Sequence, residues 1–218
     1  MEFNRITRGS NRQVNDEESV YGILDAGFLC HVGFCHHGAT MMIPTAYGRK
    51  DDSIYLHGSS KNQMLNSILD GQTICVSVTH LDGVVLARSL FDTSVNYRSV
   101  VLFGKAELVT DKEERLGGLK IITENIIKGR WDEVPVGSDQ ELKATMVVKV
   151  RIESASAKVR GGGPKGDENL RNEVWSGHIP LALKATEPVF DGKFGAELEV
   201  TESVRGFVAL YSSSFVSD

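Results

Sequence analysis

Cysteine is scarce and badly spaced for a disulfide framework. There are three, Cys30, Cys35 and Cys75, an odd number with no CxxC pair, which argues against a small secreted scaffold. No apolar run approaches the roughly 18 residues that a membrane-spanning helix needs. The first residues, Met1-Glu2-Phe3-Asn4-Arg5, lack the apolar stretch of an export signal. The expectation is a reduced, cytoplasmic setting with no membrane partner. Positive charge is also short: 24 basic against 29 acidic side chains leave a formal net charge of −5. That balance lacks the basic footprint of a nucleic-acid binder. The sequence holds no GxSxG elbow, HExxH or Walker phosphate loop, so hydrolase and metalloprotease readings find no support; the β-α alternation that a doubly wound dinucleotide fold requires is missing as well.

Glycine is in excess, at 22 of 218 residues, against an average near 7%. At about 150 residues per domain, the length fits a single domain, with a core barrel over 10–155 and a glycine-rich loop and C-terminal extension over 156–218. Asn15 as cap and Glu18 reaching back predict a helix over 16–26, stopped by Gly27. Strands follow over 28–34, 39–47 and 53–57, joined by turns at His36-His37-Gly38 and 48–52. The spacing of Met64, Leu65, Ile68 and Leu69 predicts a helix over 60–70, opened by Gly58-Ser59-Ser60. Strands are expected over 73–80, 84–89, 97–109 (with a bulge at Gly104) and 145–154. Between them, Thr110 with Glu113 forms a capping box for a helix over 111–128. Gly and Pro break 160–168. The C-terminal part, with Phe190, Phe194, Val200 and Phe207, reads as strand-like, with fraying over 211–217. Hairpin-linked strands with inserted helices make an antiparallel barrel of the α+β class.

Four places could carry chemistry. Tyr55-Leu56-His57-Gly58-Ser59-Ser60-Lys61 runs from a strand into a helix start, where small residues, hydroxyls, a lysine and a helix dipole suit a phosphate. The plainer alternative is that Ser59 or Ser60 caps the helix and Lys61 is solvated. Arg98 and Ser99 head an apolar strand, and Arg98 could equally pair with Glu107 or another rim acid. Cys30-His31 and Cys35-His36-His37 offer metal-ligand types. Strand alternation sends Cys30 and His31 to opposite faces and leaves His36-His37 in a turn, so no metal site is assigned. Trp175, beside Gly177 and ahead of Pro180, is either a stacking surface for a planar ring or a core anchor.

Three stretches in order, Ile43-Pro44-Thr45-Ala46-Tyr47, then 54–61, then Tyr97 to Gly104, resemble the FMN-binding split-barrel family. These are the pyridoxamine 5'-phosphate oxidase-related flavoproteins, and the nearest branch is the nitroimidazole-resistance-like one. The resemblance implies an antiparallel split β-barrel that works as a homodimer with FMN at the subunit interface. It places Met42, Ile43, Pro44 and Thr45 along the flavin ring, and His57, Gly58, Ser59, Ser60 and Lys61 at the phosphate end. Arg98 and Ser99 lie nearby, and Trp175 approaches from the partner. Two departures set the chain apart from the oxidase proper: the arginine-lysine pair at the phosphate is reduced to Ser60-Lys61, and the C-terminal substrate-phosphate signature is absent. In flavin chemistry the cofactor transfers the electrons, so no catalytic side chain is assigned. The function implied is an FMN-dependent oxidoreductase acting on a small planar substrate. The alternatives are a flavin carrier or sensor without turnover, and a split barrel that binds haem through a histidine such as His31 or His178.

Overall fold

The computed structural model describes residues 12–14, 16–165, 173–193 and 198–212. In chain order the elements are β1 (Gln13–Val14), α1 (Glu17–Asp25), β2 (Leu29–His36), β3 (Ala39–Lys50), β4 (Ser53–Ser59), α2 (Gln63–Ile68), β5 (Thr73–Leu86) and β6 (Ser94–Leu108). They continue as α3 (Lys112–Ile126), α4 (Arg130–Glu133), α5 (Asp139–Ala144), β7 (Thr145–Arg151), β8 (Ser154–Arg160), β9 (Gly177–Pro180) and α6 (Glu202–Ser212). The sheet order is β1-β8-β6-β7-β4-β3-β2-β5-β9, and an added β5–β6 pairing closes β6-β7-β4-β3-β2-β5 into a ring. Every pairing is antiparallel. The fold is the expected α+β split barrel.

Alternation along the strands builds the core. Cys30, Val32, Val76, Val78, Val100 and Leu102 point into the barrel, and Val20, Ile23 and Leu24 of α1 plug one end. The Tyr47 hydroxyl, also buried, donates to the Leu24 carbonyl and so ties β3 to that plug. A second, smaller cluster sits outside the barrel wall, where Ile122 of α3 meets Tyr55 and Val147.

Several elements differ from the sequence expectations. The α1 cap is Asp16, whose carboxylate accepts from the Ser19 amide; Asn15 lies outside the described residues. Gly27 is not a left-handed stop, because the helix ends through Ala26 in a right-handed conformation. Instead Gly27 makes room for His80, whose ring lies 2.6 Å from where a Cβ would stand. The strands expected over 73–80 and 84–89 are one strand, β5, with its irregularity between Leu81 and Gly83. No bulge occurs at Gly104, which pairs in register with Ile74. The strand expected over 145–154 is β7 plus the start of β8. Asp111, not Thr110, caps α3.

The largest difference is at the C-terminus: Phe207, expected in a strand-like part, and Tyr211 and Ser212, expected to fray, belong to the helix α6, while Phe194 and 213–217 lie outside the described residues. The start of α6 is held from a distance. Glu133 accepts from the Ser203 amide and hydroxyl, and Arg130 bonds Glu133 and reaches Thr201. Bonds from the Ser203 hydroxyl and amide, with Thr201 and Arg130 adding to them, hold the Glu133 pKa down from 4.5 to about 2. A carboxyl depressed in the folded state stabilises above its ordinary pKa, and that contribution drains away as pH falls through the folded value. The anchorage of α6 should therefore weaken between pH 4.5 and about 2. Glu133→Gln should loosen α6 already at neutral pH. Hydrogen exchange at the α6 amides reads both effects; protection unchanged across that window would refute the latch.

Candidate functional site at the parting of two strands

The strands β3 and β4 pair only from Tyr47–Leu56 to Lys50–Ser53. Beyond Tyr47 they separate. On the β3 side, residues 39–46 ladder with β2 along one edge. On the β4 side, His57 to Ser59 ladder only with β7. The facing edges of Met42–Thr45 and His57–Ser59 therefore run past each other without a ladder between them. This is the split in the barrel, and it brings together two of the stretches picked out from the sequence. A small cavity of about 260 Å³ opens there between β3 and the start of α2, with Met41, Ile43, Asn62 and Gln63 in its lining. Met42 and Pro44 point outward and are exposed, on the same outer face as His31 of β2, which pairs with Pro44 of β3 on one side and Ser77 of β5 on the other.

The loop after β4 is built differently from the expectation. Ser59 still pairs with Thr145 as part of the strand, so the helix cannot begin at 60. Asn62 is the cap of α2 and accepts from the Leu65 amide. The backbone donors expected to face a phosphate are already used. Ser60 N–H donates to the Ala144 carbonyl at 2.9 Å and Asn62 N–H to the Ser59 carbonyl at 2.8 Å. Lys61 N–H donates to the Ser59 hydroxyl at 3.2 Å. Gly58 faces inward, where a Cβ would sit 3.0 Å from Leu65 and 3.1 Å from Asn62. Its smallness serves α2, not close approach to a ligand. What remains outward at this corner is the Ser60 and Lys61 side chains, both exposed.

His57 stands apart from its neighbours. Its Nδ1 is buried with no hydrogen-bond partner, and burial lowers its pKa below the ordinary value. The ring is therefore neutral at neutral pH, with one nitrogen lacking the partner that buried polar groups normally have.

The remaining site residues are not gathered at the split within one chain. Arg98 lies on β6, three strands from β3, so about 14 Å away at 4.8 Å per strand. Its guanidinium forms a two-pronged pair with Asp82, at 2.9 and 2.8 Å. That is the rim-acid alternative, with Asp82 and not Glu107 as the partner. Ser99, on the neighbouring position, reaches the Lys158 carbonyl at 3.5 Å. Trp175 is 62% exposed, its ring folded over Gly177. The strand that follows it, β9, pairs with Val84 of β5. That rung is seven residues, about 23 Å, along β5 from the Ser77 rung beside Pro44. Trp175 is not a core anchor, and within a single chain it does not meet the split.

Cys30 and His31 take opposite faces as alternation predicts, whereas His36, expected in the turn, is the last residue of β2 and pairs with Ala39. Cys30 is inside the barrel, where burial pushes its thiol up to about 12, and His31 is outside. Both ring nitrogens of His36 are engaged, with Gln63 at 2.9 Å and Ser67 at 2.8 Å. In the sequence His57 is legible only as part of the phosphate stretch; nothing in the pattern marks its Nδ1 as buried and unpartnered.

Comparison with known proteins extends these findings. The structure is similar to the flavocytochrome Anf3 of Azotobacter vinelandii, with 33% identity, a TM-score of 0.88, and coverage of 94% of this chain and 96% of that one. It is equally similar in sequence to an FAD- and haem-binding protein of Mycobacterium smegmatis, at 33% identity and a TM-score of 0.84, covering 89% of this chain and 96% of that one. A candidate 5-nitroimidazole antibiotic resistance protein of Bacteroides thetaiotaomicron shares 22% identity with a TM-score of 0.59, over 67% of this chain and 86% of that one. No curated protein matches this chain. The sequence profile described as pyridoxamine 5'-phosphate oxidase matches residues 16–159. Together with the split barrel and the two relatives at 33% identity, this match shows that the chain belongs to the pyridoxamine 5'-phosphate oxidase family of split-barrel proteins.

Proposed function

We propose that the chain is a flavin-binding oxidoreductase that acts as a homodimer, with the flavin, FMN, at the split between β3 and β4. The observation that carries this reading is the unladdered edge of Met42–Thr45, standing across from a corner that still offers Ser60 and Lys61. A flat ring needs apolar walls and a few backbone hydrogen bonds, and that edge has both to give. The Ser60 hydroxyl and Lys61 ammonium suit a phosphate, and the unpartnered Nδ1 of His57 leaves a polar group for the same neighbourhood. Bound there, a flavin supplies reversible electron transfer, so the protein's part is to hold and orient it and to exclude water. Leu29, Met42 and Leu81 leave large apolar surface exposed on the barrel's outer face, which suits burial against a second copy. Trp175 would then reach the split from that copy, and Arg98 and Ser99 would flank it. The free cysteines Cys30, Cys35 and Cys75 fit a reducing, cytoplasmic setting.

A second reading adds haem. It is favoured by the two relatives at 33% identity, one a flavocytochrome and the other a binder of FAD and haem. His31 and His178 are both exposed imidazoles, open to an iron or to a partner. The absorption spectrum of the purified protein, alone and after adding FMN, FAD or haem, tests both readings. A two-band flavin spectrum with quenched fluorescence is expected on adding FMN, and a sharp Soret band on adding haem supports the second reading. A colourless protein that takes up neither flavin refutes the first. Tighter binding of FAD than FMN would replace the mononucleotide by the dinucleotide. Reduction by NAD(P)H no faster than that of free flavin would make the protein a carrier.

A further inference from the structure

We infer that the groove between α3 and α6 is a separate binding site, for a flat, largely apolar acid. The groove encloses about 970 Å³ and is bounded by the end of α1, the end of β3, α3 and α6. Small-molecule pockets are typically of this size. One wall is aromatic: the Phe28 and Phe207 rings lie 6.2 Å apart and the Phe207 and Tyr211 rings 4.8 Å apart. Across from them stand Ile121 and Ile126 of α3.

The charges at the groove select an anion. Both acids in its lining are already committed. Asp25 is paired through both oxygens with Arg49, and Glu124 accepts from the Gly129 and Trp131 amides at 2.8 and 2.9 Å. The Asn125 side-chain amide is spent on the carbonyls of Gly27 and Tyr47. Lys50 and Lys128 remain, both exposed, with no ion pair among the described residues. Among the described residues, the charged groups left to meet a ligand are thus two ammoniums, beside walls that favour a ring.

The helix α6 argues for an occupant as well. Val204, Phe207, Val208 and Tyr211 recur at helical spacing, yet Ser203 is its only buried residue. A helix in a folded protein draws most of its stability from burying its apolar face. Here that face reaches Phe28 and is otherwise half-covered, while the polar anchorage sits at the helix start, on Glu133. A flat ligand between Phe207 and Ile121 would complete the burial. Among the described residues no histidine or cysteine lines the groove, and a probe that carries no metal reads the site independently of the flavin and haem readings.

The probe is anilinonaphthalene sulfonate, a flat acid, compared with its sulfonate-free parent phenylnaphthylamine. Both are titrated by fluorescence into the full-length protein, with and without saturating flavin. One saturable sulfonate site per chain is expected, indifferent to flavin, with the uncharged parent bound about tenfold more weakly, the loss expected for one charged contact. Lys50→Glu with Lys128→Glu should weaken the sulfonate about tenfold and leave the parent unchanged. Phe207→Ala should weaken both probes. Absence of a saturable site, or equal binding of the two probes, overturns the proposal. So does binding that appears only after truncation beyond Ser212, which would make the chain's own last residues the occupant. Binding that appears only on dilution to monomer would give the groove to a second copy, and equally overturns it.

Discussion

Gly104→Ala should destabilise the protein by about 3 kcal/mol, the upper part of the range for forcing atoms into a packed interior. The reason is position and not backbone conformation, since Gly104 has no positive φ. A Cβ there would stand 2.0 Å from the Arg151 carbonyl oxygen and 3.2 Å from a Val150 methyl. The obstruction is backbone, and it is pinned: Glu153 N–H donates to Phe103 O at 3.0 Å and Ile152 N–H to Asp52 O at 2.8 Å. Gly104 is also the point where β6 changes partners. Phe103 is its last rung with β8, and Ala106 its first with β7. Closure of the ring requires one strand to serve two neighbours here, and the crossing brings the backbones too close for a side chain. At about 2–4 °C per kcal/mol for a chain of this length, the midpoint should fall by about 6–12 °C. Gly117→Ala is the contrast. Nothing lies within 4 Å of its added methyl, and in mid-helix the change should stabilise by about 0.8–1 kcal/mol. Thermal or urea unfolding of the two variants reads opposite signs; a Gly104→Ala protein within 0.5 kcal/mol of the parent, the scatter expected of a neutral surface change, would refute the crossing as a packing limit.

Gly104 also shows what the sequence could and could not reveal. A glycine inside a strong apolar strand reads as a bulge or bend; what stands there instead is a change of partner from β8 to β7, with Gly104 still in register opposite Ile74. The barrel strands were legible because alternation of Cys30, Val32 and Phe34 against His31 and Cys35 is a local pattern that the pleat enforces. Cap positions were less legible. Thr110 and Asp111 can both cap α3, and Ser59, Ser60 and Asn62 can all cap α2. The choice of Asn62 is made by Thr145, far along the chain, which keeps Ser59 in the sheet. The carbonyl that takes the Ser60 amide, Ala144, is equally remote. The helix α6 did leave a local trace in the spacing of Val204, Phe207, Val208 and Tyr211, broken to the eye by Gly206. Its anchor, Glu133, lies 70 residues earlier. Pairings such as Arg98 with Asp82 follow from the β5–β6 register, which no single strand encodes.

Lys61→Ala should weaken FMN by about 10- to 150-fold, the equivalent of a lost charged hydrogen bond at 1.5–3 kcal/mol, and leave riboflavin almost unchanged. The argument follows from which groups at the corner are already used. Were the amides of Ser60, Lys61 and Asn62 free, a phosphate could be held by backbone alone and the lysine would matter little. Each of the three is taken, by Ala144 O, Ser59 Oγ and Ser59 O respectively. Arg98, the other cation picked out from the sequence, is committed to Asp82, and that pairing raises its pKa further. The Ser60 hydroxyl is neutral, so of the two cations picked out from the sequence Lys61 is the one left to supply the countercharge at this corner. Since Lys61 is exposed, its truncation removes charge without opening a cavity, and the fold should be unaffected. Lys61→Arg should restore most of the affinity. Raising salt should weaken FMN binding in the parent and much less in Lys61→Ala, because screening acts on the charge that the variant lacks. Titration of flavin fluorescence with both ligands decides the matter. Equal losses for FMN and riboflavin would move Lys61 away from the phosphate, and an unchanged FMN affinity would place the phosphate at a second copy's residues and not at this corner.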